Sequence, residues 1–99
     1  MIKLTKQQLK ILPELYAQDG KGDEAIAYLK IFAPDSNWTW YVTEFDGKDT
    51  FFGLVDGFDM ELGYFSLSEL NSIRGGLGLG VEIDKSWKPK ALKNIQSTL

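Results

Sequence analysis

Three runs of aromatic and β-branched residues, separated by two short polar turns, occupy the middle of the chain. Trp38-Thr39-Trp40-Tyr41-Val42-Thr43-Glu44-Phe45 leads into Asp46-Gly47-Lys48-Asp49, then Thr50-Phe51-Phe52-Gly53-Leu54-Val55. Gly57-Phe58-Asp59 follows, then Glu61-Leu62-Gly63-Tyr64-Phe65. Such residues fit a pleated, half-buried surface, and Asp-Gly between two such runs signals a hairpin. Connections this short join antiparallel strands only, because a parallel pair needs a crossover of a dozen residues or more. The middle of the chain therefore reads as an antiparallel meander.

The flanks read as short helices around it. Thr5-Lys6-Gln7-Gln8 has the form of a capping box, and Leu9, Leu12, Leu15 and Tyr16 follow at helical spacing until Pro13 interrupts. Asp19-Gly20-Lys21-Gly22-Asp23 is a polar loop. Ala25 to Ala33 is apolar enough for helix or strand, and the Pro34-Asp35-Ser36-Asn37 turn cluster before Trp38 favours a strand. Ser66-Leu67-Ser68-Glu69 is a second capping box, starting a helix through Leu70 and Ile73 that ends near Gly75. Val81-Glu82-Ile83 is a brief extended piece, and Pro89 suits the first turn of a last helix carrying Leu92 and Ile95. The expectation is one α+β domain over residues 1–99. It is a three- to four-stranded antiparallel meander with an N-terminal helix and two short C-terminal helices on one face.

Composition narrows the chemistry. At 99 residues, folding removes roughly 65% of the unfolded chain's surface from water, enough for one core without a metal or disulfide. There is no cysteine and no histidine. Disulfides, thiolate nucleophiles, iron–sulfur clusters, cysteine-rich zinc sites and the Ser-His-Asp triad are excluded. A carboxylate-only Mg²⁺ or Ca²⁺ site stays open. A net charge of −3 argues against a nucleic-acid-binding balance and serves mainly solubility. No leader-like apolar segment follows Met1 and no stretch approaches ~20 apolar residues, so the expectation is a cytoplasmic protein without membrane contact.

The blocks Trp38 to Asp46, Phe51 to Phe58 and Glu61 to Leu70, with Arg74-Gly75-Gly76-Leu77-Gly78-Leu79 and Lys88-Pro89, resemble a bacterial and phage family, domain of unknown function 2958. The resemblance covers roughly Tyr28 to Leu92. It departs at Gly76 and Gly80, where the family pattern has proline, and at Lys85-Ser86-Trp87, where it is more apolar. It implies a setting in plasmids, phages and conjugative elements. It implies no activity and assigns no catalytic or binding residue.

Candidate site residues come from the strands and the last helix. Simple alternation puts Trp38, Trp40 and Val42 on one face and Thr39, Tyr41, Thr43 and Phe45 on the other. Either both faces are covered or one presents an aromatic platform, with Tyr41 and Tyr64 the best exposed aromatics. Glu44 is unusual for lying inside a strand, where it either faces solvent or pairs with a lysine. Asp46, Asp49, Asp56, Asp59 and Glu61 surround turns, where acidic residues are also simply what turns use. The glycines from Gly75 to Gly80 follow a helix instead of a strand, the wrong order for a dinucleotide fingerprint. Lys85, Lys88, Lys90 and Lys93 form a mild basic cluster around Trp87. The candidate binding residues are Trp40, Tyr41, Glu44, Tyr64 and Lys88, with no catalytic residue, metal or cofactor. The favoured reading is a non-enzymatic accessory protein of a mobile element or phage that binds a host or element-encoded protein, with a homodimer also possible. The alternative is single-stranded nucleic-acid binding through the sheet aromatics and the C-terminal lysines. A cation-dependent enzyme using the turn carboxylates is the remaining reading.

Overall fold

The computed structural model describes residues 1–96. Helix α1 (Lys6–Ile11) precedes a loop with one 3₁₀ turn (Gly22–Glu24) and strands β1 (Ile26–Ala27) and β2 (Leu29–Phe32). The meander follows as β3 (Thr39–Phe45), β4 (Thr50–Asp56) and β5 (Met60–Ser66), running into α2 (Leu67–Ser72). The chain closes with β6 (Glu82–Ile83), β7 (Lys90–Ala91) and α3 (Leu92–Gln96). A five-stranded sheet has the order β5-β4-β3-β2-β6, β1 pairs with β7, and every pair is antiparallel. The α+β class and the meander are as expected.

Local chemistry sets the boundaries. The Thr5 hydroxyl accepts the Gln8 N–H at 3.1 Å while the Gln8 side chain accepts the Thr5 N–H at 2.8 Å, so both arms of the capping box form. The helix stops at Leu12, whose extended backbone is what a following proline requires. Ser66 caps α2 by accepting the Glu69 N–H, and Asp49 from the β3–β4 turn accepts both the backbone N–H and the hydroxyl of Ser68 at 2.8 Å. The sheet has five strands, not three or four, because Glu82–Ile83 adds to the edge beside β2. The strand expected across Ala25–Ala33 divides at Tyr28, where β1 leaves to pair with β7. Pro89 precedes β7 instead of opening α3. It has no N–H to donate, and pairing resumes at Lys90.

Register departs from simple alternation at one point. Val42 pairs with Gly53, but Glu44 pairs with Phe52, leaving Thr43 as an extra residue whose hydroxyl donates to the Phe52 carbonyl at 3.0 Å. This bulge inverts the faces beyond it. Phe45 therefore joins Trp40 and Val42, not Tyr41, and stacks on Phe51 at 4.6 Å between ring centroids, with Phe65 a further 5.5 Å from Phe51. Ile2, Leu70 of α2 and Val81 cover this first face.

The second face carries Tyr41 and Leu54 beneath Ala25, Ala27 and, from α3, Leu92 and Ile95. The helices thus divide between the two faces instead of sharing one. Aromatic side chains on both faces need cover on both. Each aromatic contact within these layers adds about 0.5–1.5 kcal/mol beyond the area it buries.

Gly53 has the β3 backbone where a side chain would be. A Cβ there would collide with the Tyr41 carbonyl, whereas a Cβ on Gly63, its partner on β5, would meet nothing. Gly53→Ala is expected to cost about 2 kcal/mol, as overpacking does, and to lower the melting temperature by about 10 °C in a domain of this size. Gly63→Ala is expected to leave it unchanged or slightly raised. Thermal melts of the two variants check this.

Candidate functional site

The loop between Pro13 and Ala25 is held against the second face by one carboxylate. Glu44 is 4% exposed. One of its oxygens accepts the Tyr16 N–H at 2.8 Å and the other accepts the Gln18 N–H at 2.7 Å. The sequence reading, in which Glu44 faces solvent or pairs with a lysine, is overturned on both counts. The bulge at Thr43 turns Glu44 away from the phenylalanine layer and towards the loop. Gln18 completes the attachment: its amide donates to the carbonyls of Ile26 (2.9 Å) and Thr43 (2.8 Å) and accepts the Ile26 N–H at 2.6 Å. Tyr16 has φ of 72°, in the left-handed region. A tyrosine there costs of order 1–3 kcal/mol and persists only where its surroundings over-determine it; the bond from its N–H to Glu44 is one such constraint.

Around Glu44 lies an open cavity of about 380 Å³, lined among others by Tyr16, Asp19, Phe52, Leu62 and Tyr64. Glu44, Phe52 and Tyr64 form one cross-strand row over β3, β4 and β5. The Phe52 and Tyr64 rings meet edge to face at 4.9 Å. Tyr16 and Tyr64 are exposed, at 67% and 56%, as is Leu62. The neighbouring Tyr16 side chain pushes the Tyr64 phenol above its ordinary pKa of 10.0. Partial desolvation and the negative charges of Glu44 and Asp19 add to this.

Of the candidate binding residues, the structure brings Glu44 and Tyr64 together. Trp40 is buried in the first-face core, away from Glu44 and Tyr64, where it lines a separate cavity with Trp38, Phe65 and Arg74. Tyr41, expected to be exposed, is buried under Trp87 with 5.5 Å between ring centroids, and burial followed by the nearby charge of Asp56 raises its phenol above 10.0. Lys88 is exposed and outside the cavity lining. Its neighbours have other engagements: Lys90 lies 4.7 Å over the Trp87 ring and Lys93 is 3.4 Å from Glu24.

A family model described as protein of unknown function (DUF2958) matches residues 3–95. The chain belongs to this family. No curated protein and no solved structure matches it. In this family member the glycine-rich stretch after α2 is organised from within. The Asp35 carboxylate accepts the N–H groups of Leu77 (2.8 Å) and Leu79 (3.3 Å) and lies where a Cβ on Gly75 would be. Those amides already hold an internal anion, so they are not open to a phosphate. Two of the turn carboxylates, Asp49 and Asp46, are likewise engaged, Asp49 by Ser68. Asp46 accepts three backbone N–H groups, from Lys48, Asp49 and Thr50, which hold its carboxyl below the ordinary range. Among the described residues no three acidic side chains converge as metal ligands, and no helix is long and apolar enough to cross a membrane.

Sequence reasoning missed Tyr16, Gln18 and Asp19. In the sequence Tyr16 reads as part of a helical stripe, and the other two fall in or beside a polar loop. The available signal was a glutamate inside a strand of otherwise apolar and hydroxyl residues, which needs donors from somewhere.

Glu44→Gln turns an amide N–H₂ towards one of the two loop N–H groups. It is expected to cost about 2 kcal/mol, the penalty for leaving a buried donor unsatisfied. Glu61→Gln, on the exposed part of β5, is expected to change stability little. Urea denaturation of the two variants distinguishes these outcomes.

Proposed function

We propose that this protein is a non-enzymatic binding module of a mobile genetic element or phage, and that it docks a host or element-encoded protein on the open part of its second face. The observation that carries this reading is the exposure of Tyr16, Leu62 and Tyr64 around the Glu44 cavity, while the rest of that face lies under β1, Trp87 and α3. Exposed aromatic and apolar side chains rimmed by polar ones are characteristic of protein contact sites. β5 supports it too. It ends the five-stranded sheet, so its outer edge offers main-chain groups to an added strand from a partner or a second copy.

Single-stranded nucleic-acid binding fits less well. The exposed rings lie beside the carboxylates of Glu44 and Asp19, which repel phosphate, and the rings near the lysines are the buried Tyr41 and half-buried Trp87. The cytoplasm is the compartment that suits this reading, and no cofactor enters it.

The test is affinity capture from host lysate, with and without nuclease, using wild type, a Leu62→Ser/Tyr64→Ala double variant and Phe58→Ser. Phe58 is 94% exposed and lies in the β4–β5 turn, outside the cavity lining. The expected result is a protein recovered by wild type and Phe58→Ser regardless of nuclease, and reduced at least about tenfold with the double variant, as losing one interface anchor does. Recovery abolished by nuclease, or indifferent to the double variant, would contradict the proposal.

A further inference from the structure

Glu44 lacks something a buried carboxylate ordinarily has. Accepting hydrogen bonds at both oxygens is the behaviour of an ionised carboxylate, which has no donor of its own. Buried charges are usually paired with an opposite charge, because taking an ion out of water costs several kcal/mol. Among the described residues the ion pairs are Lys30–Asp84 and Lys93–Glu24, neither of which involves Glu44. The chain has 11 lysines and arginines, yet none lines the cavity that Glu44 faces. Asp19 contributes a second carboxylate to the same lining, and Tyr16, Phe52 and Tyr64 contribute three aromatic rings.

An aromatic ring attracts a cation to its face, and the attraction grows as water is excluded. Carboxylate at the wall and rings around the opening together select a positively charged group carried on an apolar stem. An anion meets two like charges here, and a neutral apolar group leaves Glu44 uncompensated. At about 380 Å³ the cavity is at the small end of the ~300–1,000 Å³ range of ligand pockets, a size suited to one long side chain. We propose that it takes the cationic end of a lysine or arginine side chain of the docked protein. This inference rests on the protein-binding reading above and names the chemistry at its centre. The flexible stems of lysine and arginine bury along apolar surface while the charged end reaches a polar partner. Here the stem lies against Leu62 and Tyr64 and the charge faces Glu44 and Asp19.

The test uses the full chain, ¹⁵N-labelled, and needs no identified partner. Nα-acetyl-lysine methylamide and Nα-acetyl-arginine methylamide are titrated in, with Nα-acetyl-norleucine methylamide as the uncharged control and CaCl₂ as a separate arm. The expected result is saturable movement of the Tyr16 and Gln18 amide signals with at least one cationic probe, and about tenfold weaker binding of the norleucine probe. Asp19→Asn, whose exposed side chain can change without disturbing the Glu44 bonds, is expected to weaken the cationic probe about threefold. Equal binding of norleucine and lysine probes would overturn the inference, as would movement of the same amides by Ca²⁺ at lower concentration than by lysine, or no movement with any probe. If the probes fail while captured protein is still lost with Leu62→Ser/Tyr64→Ala, only the cationic inference falls. If capture is also indifferent to that double variant, the docking reading falls with it.

Discussion

One extra residue in β3 decides what each face of the sheet can carry. Without the bulge at Thr43, strict alternation would place Glu44 among Val42, Phe51 and Phe65 and would turn Phe45 out to the loop side. With it, Phe45 completes the stacked phenylalanine layer and Glu44 reaches the amides of Tyr16 and Gln18. The difference is large in energetic terms. A carboxylate within an aromatic layer has no donors and bears the cost of a buried charge, and an exposed phenylalanine forfeits about 1.5–3 kcal/mol of burial. Gly53 opposite the bulge belongs to the same device, since the Tyr41 carbonyl occupies the space a side chain would need.

From that inversion follows the organisation of the second face. Glu44 and Gln18 fasten an irregular loop to β3, which is buried along nearly its whole length, and the loop in turn forms one wall of the cavity. Polar atoms that would be costly if left unpaired thus shape an opening whose rim is aromatic and whose charge is negative. The remaining helices and short strands cover what is left. Ile2, α2 and Val81 lie over the first face and α3 over the second, so the aromatic content of the meander is buried everywhere except around this cavity and at the Phe58 turn.

Much of the fold is legible in the residues. The capping box at Thr5, the cap at Ser66, the hairpin turn at Asp46-Gly47 and the three aromatic runs depend on neighbours close in sequence, and each forms where its pattern lies. The division of the helices between faces was not legible, because it depends on which face each aromatic takes, and that depends on the bulge. A period of two cannot reveal an inserted residue. The site was legible only in part. Glu44 stands out as a carboxylate inside a strand, whereas Tyr41 and Tyr64 read alike as amphipathic residues in strands and differ only in what covers them. Gln18 and Tyr16 are recruited across 26 and 28 positions of sequence, a separation that local patterns do not span.

The attachment of the loop by Glu44 is the claim on which the cavity and its chemistry rest. Native-state amide hydrogen exchange measures it most directly. The N–H groups of Tyr16 and Gln18, though in a loop, are expected to exchange as slowly as those of β3 and β4, since opening either one means withdrawing a buried carboxylate from its donors. Exchange of those two amides as fast as that of the exposed Asp23 and Glu24 would show that Glu44 does not hold the loop, and the cavity would lose its wall.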